Sequence, residues 1–186
     1  WEIKYDLNPL IDDSLLDNDS DNRNNLVEFI EDTNPNILEV VDNEPNDSIA
    51  LAQNVDAAFN LNYSPDIGNE FSNTSEIIPH VTITGTGNNT VDYFSFTVST
   101  APSTATFDID YAMEQGGSID TNIRLYDDTN TVIARNDDSL ITNGQNGSIH
   151  NYDSFLTYEF TKPGIYYVNV SSYSVKPVAS EATYTL

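Results

Sequence analysis

The sequence predicts a mainly β protein, an antiparallel β-sandwich or jelly roll, preceded by a small acidic unit with one loop and a short helix. Three observations predict it. From about Val81 onward, short runs of alternating apolar and polar residues recur at roughly ten-residue intervals. Turn-formers such as "DDTN", "NGQNG" and "KPG" separate these runs, with no long helical periodicity between them. Ahead of this region, "LDNDSDNRNNLVEF" (16–29) sets acids at alternate positions and then closes on Glu28.

The strands follow in order. "VDYFSFTV" puts Phe94, Phe96 and Val98 on one face, and "ATFDIDYA" puts Phe107, Ile109 and Tyr111 opposite Asp108 and Asp110. "NIRLYD", "TVIARND", "FLTYEF", "IYYVNV" and a terminal "ATYTL" continue the pattern. Earlier, "NDSIALAQ" reads as a turn or two of helix capped by Asn46 or Asp47, and residues 55–79 read as a long loop with at most one strand. Residues 1–40 hold eleven of the acids and only short apolar patches such as "LVEFI", too little to bury a core alone. The expected division is therefore 1–40, a small loop-bearing unit and acidic linker, and 41–186, the sandwich.

Thirty Asp and Glu against six Lys and Arg give a formal net charge of -24. That charge repels nucleic acid phosphates and anionic membrane surfaces, so both are disfavoured as partners. It also opposes compaction, which calls for high external salt or for divalent cations held by clustered carboxylates. The absence of Cys removes disulfides, thiolate metal sites and a cysteine nucleophile. No apolar run approaches a membrane span, and "WEIKYDLNPL" lacks the basic and apolar regions of a signal peptide.

Calcium takes six to eight hard oxygen ligands, which a twelve-residue EF-type loop supplies from positions 1, 3, 5, 7, 9 and 12. Counted from Asp17, these are Asp17, Asp19, Asp21, the Arg23 carbonyl, Asn25 and Glu28. Position 6, where a left-handed turn favours Gly, holds Asn22, the non-Gly residue that best tolerates that conformation. Leu26, Phe29 and Ile30 then fall at the spacing of an exiting helix. The run from Trp1 to Pro35 resembles the calcium-binding repeats of bacterial surface and secreted proteins, related to thrombospondin type 3 and dockerin loops. Trp1 and Glu2, Leu7 and Pro9, the loop itself, and Thr33 and Pro35 carry the resemblance. It implies that Glu2 is the twelfth ligand of an earlier loop.

"VVDNEPNDSIALAQ" places Asp42, Glu44, Asn46 and Asp47 within six residues around Pro45. With "VDYFSFTV", "DTNIRLYDDTNTVIARNDDS", "DSFLTYEFTKPGIYYVNVSSY" and the terminal "YTL", it resembles the bacterial pre-peptidase C-terminal domain, a calcium-binding β-sandwich similar to the collagen-binding modules of collagenases. That resemblance implies calcium between Glu44, Asn46, Asp47 and Asp92, with Asn88 or Asn89 standing where relatives carry an Asp. A third oxygen-rich group comprises Asp120, Asn122, Asn136, Asp137, Asp138 and Asp153. A hairpin of "NIRLYD" and "VIARND" brings its members toward one end, and turn chemistry accounts for them equally well.

His80 and His150, the only histidines, sit in no nucleophile-elbow or metalloprotease motif, and no carboxylate pair stands out, so no catalytic residues are assigned. Alternation in "IYYVNVSSY" turns Tyr166 or Tyr167, with Tyr173, outward on a sheet face, a ligand-gripping arrangement. The reading is a non-catalytic, extracellular, secreted or cell-surface module that binds calcium ions and stiffens a larger polypeptide alongside its other domains. Its alternatives are an adhesive module for a glycan, collagen-like or protein ligand, and a filament subunit in which "ATYTL" or the N-terminal segment pairs with neighbouring subunits.

Overall fold

The computed structural model describes residues 1–5, 7–19, 24–31, 35–36, 40–64, 67–69, 72–144 and 147–186. The chain forms two compact units, 1–40 and 41–186.

In the first unit, a 3-10 turn spans Glu2–Tyr5 and helix α1 spans Asn25–Glu31. The Asn24 side chain accepts the Val27 N–H at 3.0 Å, satisfying a donor that the first turn leaves free. The Asn25 and Leu26 N–H groups reach the carbonyls of Leu16 and Ser14, at 2.8 and 3.0 Å, which docks the preceding segment on the helix start. Trp1 meets Tyr5 and Phe29 edge-on at 5.3 and 5.7 Å. Helical spacing leads one to expect Leu26, Phe29 and Ile30 on the inner face, yet all three are exposed. Asn25 and Glu28 are the buried ones. A helix that turns an amide and a carboxylate inward is organised around polar chemistry rather than apolar burial.

The strands are β1 (Val40–Val41), β2 (Gln53–Asn54), β3 (Gly68–Asn69), β4 (Ser72–Asn73), β5 (Ile83–Thr86), β6 (Asp92–Val98) and β7 (Ser103–Asp108). They continue with β8 (Asp110–Glu114), β9 (Gly117–Ser118), β10 (Thr121–Tyr126), β11 (Val132–Asn136), β12 (Phe155–Phe160), β13 (Gly164–Ser172) and β14 (Thr183–Thr185). One sheet runs β1-β5-β14-β8-β9 and the other β11-β10-β13-β6-β2, with β7-β12 and β3-β4 as separate pairs. The β10-β11, β10-β13, β12-β7, β13-β6, β14-β5, β14-β8, β3-β4 and β8-β9 pairs are antiparallel, and β2 runs parallel to β6. Phe94, Ile123, Leu125, Val168 and Val170 from one sheet and Ile83, Ala112 and Tyr184 from the other are buried, as the mainly β sandwich requires. Phe96 extends this core through ring contacts to Phe107, Phe160 and Tyr166.

Four local expectations are corrected. "ATFDIDYA" is two strands: β7 pairs with β12, and β8 pairs with β14. At the change of partner Ile109 and Asp110 are both buried, and Tyr111, with φ +52°, turns out to solvent. "NDSIALAQ" forms only a 3-10 turn, Ile49–Leu51, with Ser48 at its cap position, so neither Asn46 nor Asp47 caps it. Residues 55–79 contain the Asp56–Ala58 turn and the β3-β4 pair, closed by a bridge between Asn60 and His80. Finally, β14 is bonded to β5 on one side and β8 on the other, so the terminal strand is no free edge for a neighbouring subunit.

Gly85 lies opposite Tyr184 in the β5-β14 register, and the Tyr184 ring covers it. A Cβ at Gly85 would stand 2.1 Å from that ring. Changing Gly85 to Ala is expected to lower stability by about 1–3 kcal/mol through displacement of the ring. An unchanged urea midpoint would show that the ring has room to move.

Candidate metal centre

The segment after β1 is laced to both sheets. Asp42 donates its N–H to the Thr84 carbonyl at 2.9 Å, and the Asn43 N–H reaches the Gln53 side chain at 2.8 Å. Gln53 donates in turn to the Val41 carbonyl at 3.0 Å. The Tyr93 N–H bonds the Asn46 carbonyl, fixing Asn46 beside the start of β6. Asp92, first residue of β6, alternates with outward Tyr93 and so points between the sheets, where it is fully buried.

This lacing brings one carboxylate oxygen each of Asp42, Glu44 and Asp92 within 4.8 Å of one another. Two ligands on opposite sides of a calcium ion are about 4.6–5.2 Å apart, since each Ca–O bond is about 2.3–2.6 Å, so the three oxygens fit around one ion. Asn46 is fully buried, donates to Asp42 Oδ1 at 2.6 Å through Nδ2, and accepts nothing at Oδ1. Asp92 Oδ2 accepts from the Tyr184 hydroxyl at 2.6 Å, and its Oδ1 has no hydrogen-bond partner. Two orphaned buried oxygens beside three carboxylates constitute an all-oxygen donor set of the kind calcium takes.

The electrostatics match. Burial pushes the Asp92 pKa up to about 7, the Tyr184 hydrogen bond opposes that rise, and the charges of Asp42, Glu44 and Asp47 add to it. Burial, then Glu44, raises Asp42 to about 6, against the lowering effect of its hydrogen bonds from Asn46 and Thr86. Burial and the charge of Asp92 hold the Tyr184 hydroxyl well above its ordinary range, so it stays a donor.

The predicted residues divide as follows. Asp42, Glu44, Asn46 and Asp92 come together; Asp47 is exposed and contributes charge. Asn88 donates to Glu44 and accepts from Thr90, whereas Asn89 accepts the Ser180 N–H. Asn88 is thus the one that reaches the centre. Tyr184 and Thr90 were not anticipated; the terminal "YTL" marked the strand but not which way its tyrosine points. In the first unit Asn25 is buried with no partner for either side-chain atom, and Glu2 has a buried Oε2 without one. Glu28 is buried, Asp19 half-buried and Asp17 exposed, while Asp21 and Arg23 lie outside the described residues.

The carboxylates of the third group do not converge as closely as those of Asp42, Glu44 and Asp92. Among the described residues, the close three-carboxylate grouping is that of Asp42, Glu44 and Asp92. Asp153 accepts the Ile149 and His150 N–H groups at 2.8 and 3.3 Å and meets the His150 ring at 3.5 Å, which ties down its own loop. Asn122 accepts from Arg124, and Asn136 from the Phe155 N–H. Asp137 and Asp138 are exposed, and burial followed by their charges raises the Asp120 pKa. Of the tyrosines, Tyr166 is buried in the core, stacked on Phe96 and bonded to the Lys162 carbonyl, so it is no surface ligand. Tyr167 is its outward neighbour and Tyr173 is exposed.

Fold and site together define a β-sandwich with a carboxylate centre, anchored on buried Asp92, at the lip between its sheets. Residues 90–172 of this sandwich match the family described as the bacterial pre-peptidase C-terminal domain. The matched stretch includes Asp92, while Asp42, Glu44 and Asn46 precede it. The chain is also similar to the pre-peptidase C-terminal domain of a collagenase from Bacillus anthracis, known from a crystal structure, at 22% identity over 56% of this chain and 84% of that one, with a TM-score of 0.35. Comparison with curated proteins finds no match.

Because the Asp42 and Asp92 pKa values stand above the ordinary carboxylate value, the folded state holds protons that the unfolded chain releases. Their contribution is fully present below about pH 4 and is lost as the pH rises through about 6 and 7. The metal-free protein is therefore expected to lose melting temperature between about pH 4 and 8, and Asp92→Asn to flatten the profile. A metal-free profile that rises over this window would contradict the assignment.

Proposed function

We propose that the chain is a non-catalytic, calcium-stabilised accessory module of a secreted or cell-surface bacterial protein, with a pre-peptidase C-terminal-type sandwich behind an EF-like calcium repeat. The observation that carries the reading is the convergence of Asp42, Glu44 and Asp92 beside the unpartnered oxygens of Asn46 and Asp92. The family match over residues 90–172 supports it. In the first unit, inward-facing Asn25 and Glu28 support a second site, at positions 9 and 12 of the loop.

The mechanism is neutralisation. At neutral pH three converging carboxylates repel one another, and burial disfavours the charged forms of Asp42 and Asp92. A divalent cation supplies the missing charge and the partners that the orphaned oxygens lack, so binding is coupled to ordering. Asp42, Glu44, Asn46 and Asp92 would hold the ion, Asn88 would orient Glu44, and Tyr184 would fix Asp92. The result is a cross-link between the 42–46 segment and β6 in a chain without disulfides. Extracellular calcium is millimolar, so dissociation constants on the order of 10⁻⁴ to 10⁻³ M suffice.

Calcium at about a hundredfold excess over its dissociation constant should add about 2.7 kcal/mol. That corresponds to a melting-temperature rise on the order of 5–10 °C. Asp92→Asn should abolish most of the rise, and an identical melt with calcium and with chelator would end the proposal. Chelation should also open residues 1–45 to proteolysis, with Glu28→Gln producing the same early cleavage in calcium. Cleavage rates that ignore both chelator and Glu28→Gln would remove the first-unit site.

A further inference from the structure

The outer face of the sheet containing β10 and β11 carries an unexpected pair of charges. Ile123 and Leu125 point inward and are fully buried, so Asn122, Arg124 and Tyr126 alternate to the outside. Arg124 lies directly opposite Arg135 in the β10-β11 register. Like charges in that position are destabilising. The chain has only six basic side chains and thirty acidic ones, so carboxylate partners are abundant. Yet among the described residues the recorded ion pair is His150 with Asp153, and neither arginine has one. The single hydrogen bond of Arg124 runs from Nε to the Asn122 side chain at 3.3 Å.

The arginines border a groove of ≈ 270 Å³ whose other walls are Asn122, Asp137, Tyr173 and Ser174. It adjoins a second, ≈ 300 Å³, formed by the same arginines and residues 132–134. The Tyr173 wall is held in unfavourable backbone: Ser174 and Val175 both have φ of +60°, and a β-branched residue rarely adopts that region. Such outliers persist where surrounding structure imposes them, and they cluster at ligand sites. Behind Arg124, across the β10-β13 register, Asn169 is fully buried with no partner for Oδ1. On the same sheet face, the Tyr93 and Tyr126 rings meet 5.8 Å apart across β13, which separates their strands.

We infer that this groove binds a glycan through a single sugar-acid carboxylate held between Arg124 and Arg135. Two guanidinium groups facing one another present paired donors that match the two oxygens of a carboxylate. The exposed Tyr173 ring offers a face for the sugar ring, and Asn122, Ser174 and Asp137 offer donors and acceptors for its hydroxyls. Asp137 also makes the groove selective: it accepts from hydroxyls and repels a second anionic group, as does the net charge of the chain. The ligand class is therefore a sparsely acidic glycan rather than a densely sulfated one. This goes beyond the calcium reading, because none of these residues belongs to the carboxylate centre.

The test is calorimetric titration of the calcium-loaded chain with a neutral oligosaccharide carrying one glucuronate, with its carboxyl-reduced counterpart, and with acetate. The glucuronate form should bind at least about tenfold more tightly than the reduced form. Arg124→Gln and Arg135→Gln should each remove that difference, and Tyr173→Ala should weaken both forms alike. Exposed Arg135 can be changed without disturbing the core, so its variant should keep the calcium-dependent melting temperature, which separates failure of this site from failure of the calcium reading. Equal affinities for the two oligosaccharides, or full binding by Arg135→Gln, would overturn the inference. So would acetate binding as tight as the oligosaccharide, or self-association abolished by Arg135→Gln, since either would assign the groove to bare carboxylates such as those of a second copy.

Discussion

The hydrogen bond from the Tyr184 hydroxyl to Asp92, 2.6 Å long and fully buried, is the contact on which the second unit's organisation turns. It joins the middle of one sheet to the first residue of a central strand in the other. A buried carboxylate without a donor is strongly disfavoured, so Asp92 requires a hydroxyl at that point. Tyr184 reaches it only because Gly85, its cross-strand neighbour, leaves room for the ring. One glycine, one tyrosine and one aspartate thus set the position of the last strand and the floor of the carboxylate centre together.

The remaining carboxylates follow from that floor. The 41–46 segment is fastened by the two-way bonds of Gln53 to its backbone and by the Tyr93 N–H to Asn46. Asp42 and Glu44 therefore approach Asp92 from a fixed direction. Their mutual repulsion opposes the fold, so stability there responds to protons and, on the proposed reading, to a bound cation. In the first unit the same logic recurs on a smaller scale: α1 turns Asn25 and Glu28 inward and leaves Leu26 and Ile30 in solvent.

The two faces of the β10-β13-β6 sheet divide the chemistry. Inward positions are mainly apolar and make the core, with Asp92 the charged one among them; outward positions hold Arg124, Asn169, Tyr93, Tyr126 and Tyr167. Of these outward residues, Asn169 and Tyr126 are buried although they face away from the core. A face this structured, with two arginines paired against electrostatic preference, is the natural complement to a carboxylate centre at the sandwich's edge. Under the two proposals, one site would take a cation and the other an anion.

Much of this was legible in order along the chain. Alternation in "VDYFSFTV" and "IYYVNV" determined the core strands and which side of each is apolar, because side-chain direction in a strand follows from a period of two. The close spacing of Asp42, Glu44 and Asn46 determined an oxygen-rich segment; its pairing with the Asp at the head of "DYFSF" was implied by the family resemblance and not by spacing. Where the chain changes sheets, periodicity loses its meaning: Tyr111 continues the pattern on paper and faces solvent in the fold. Only the tertiary structure chose Asn88 over Asn89, put Tyr184 on Asp92, seated the final strand in mid-sheet and set Arg124 against Arg135. Those are matters of register and of contacts between distant segments, such as the 92 residues separating Asp92 from Tyr184, and such contacts are decided by packing the whole chain at once.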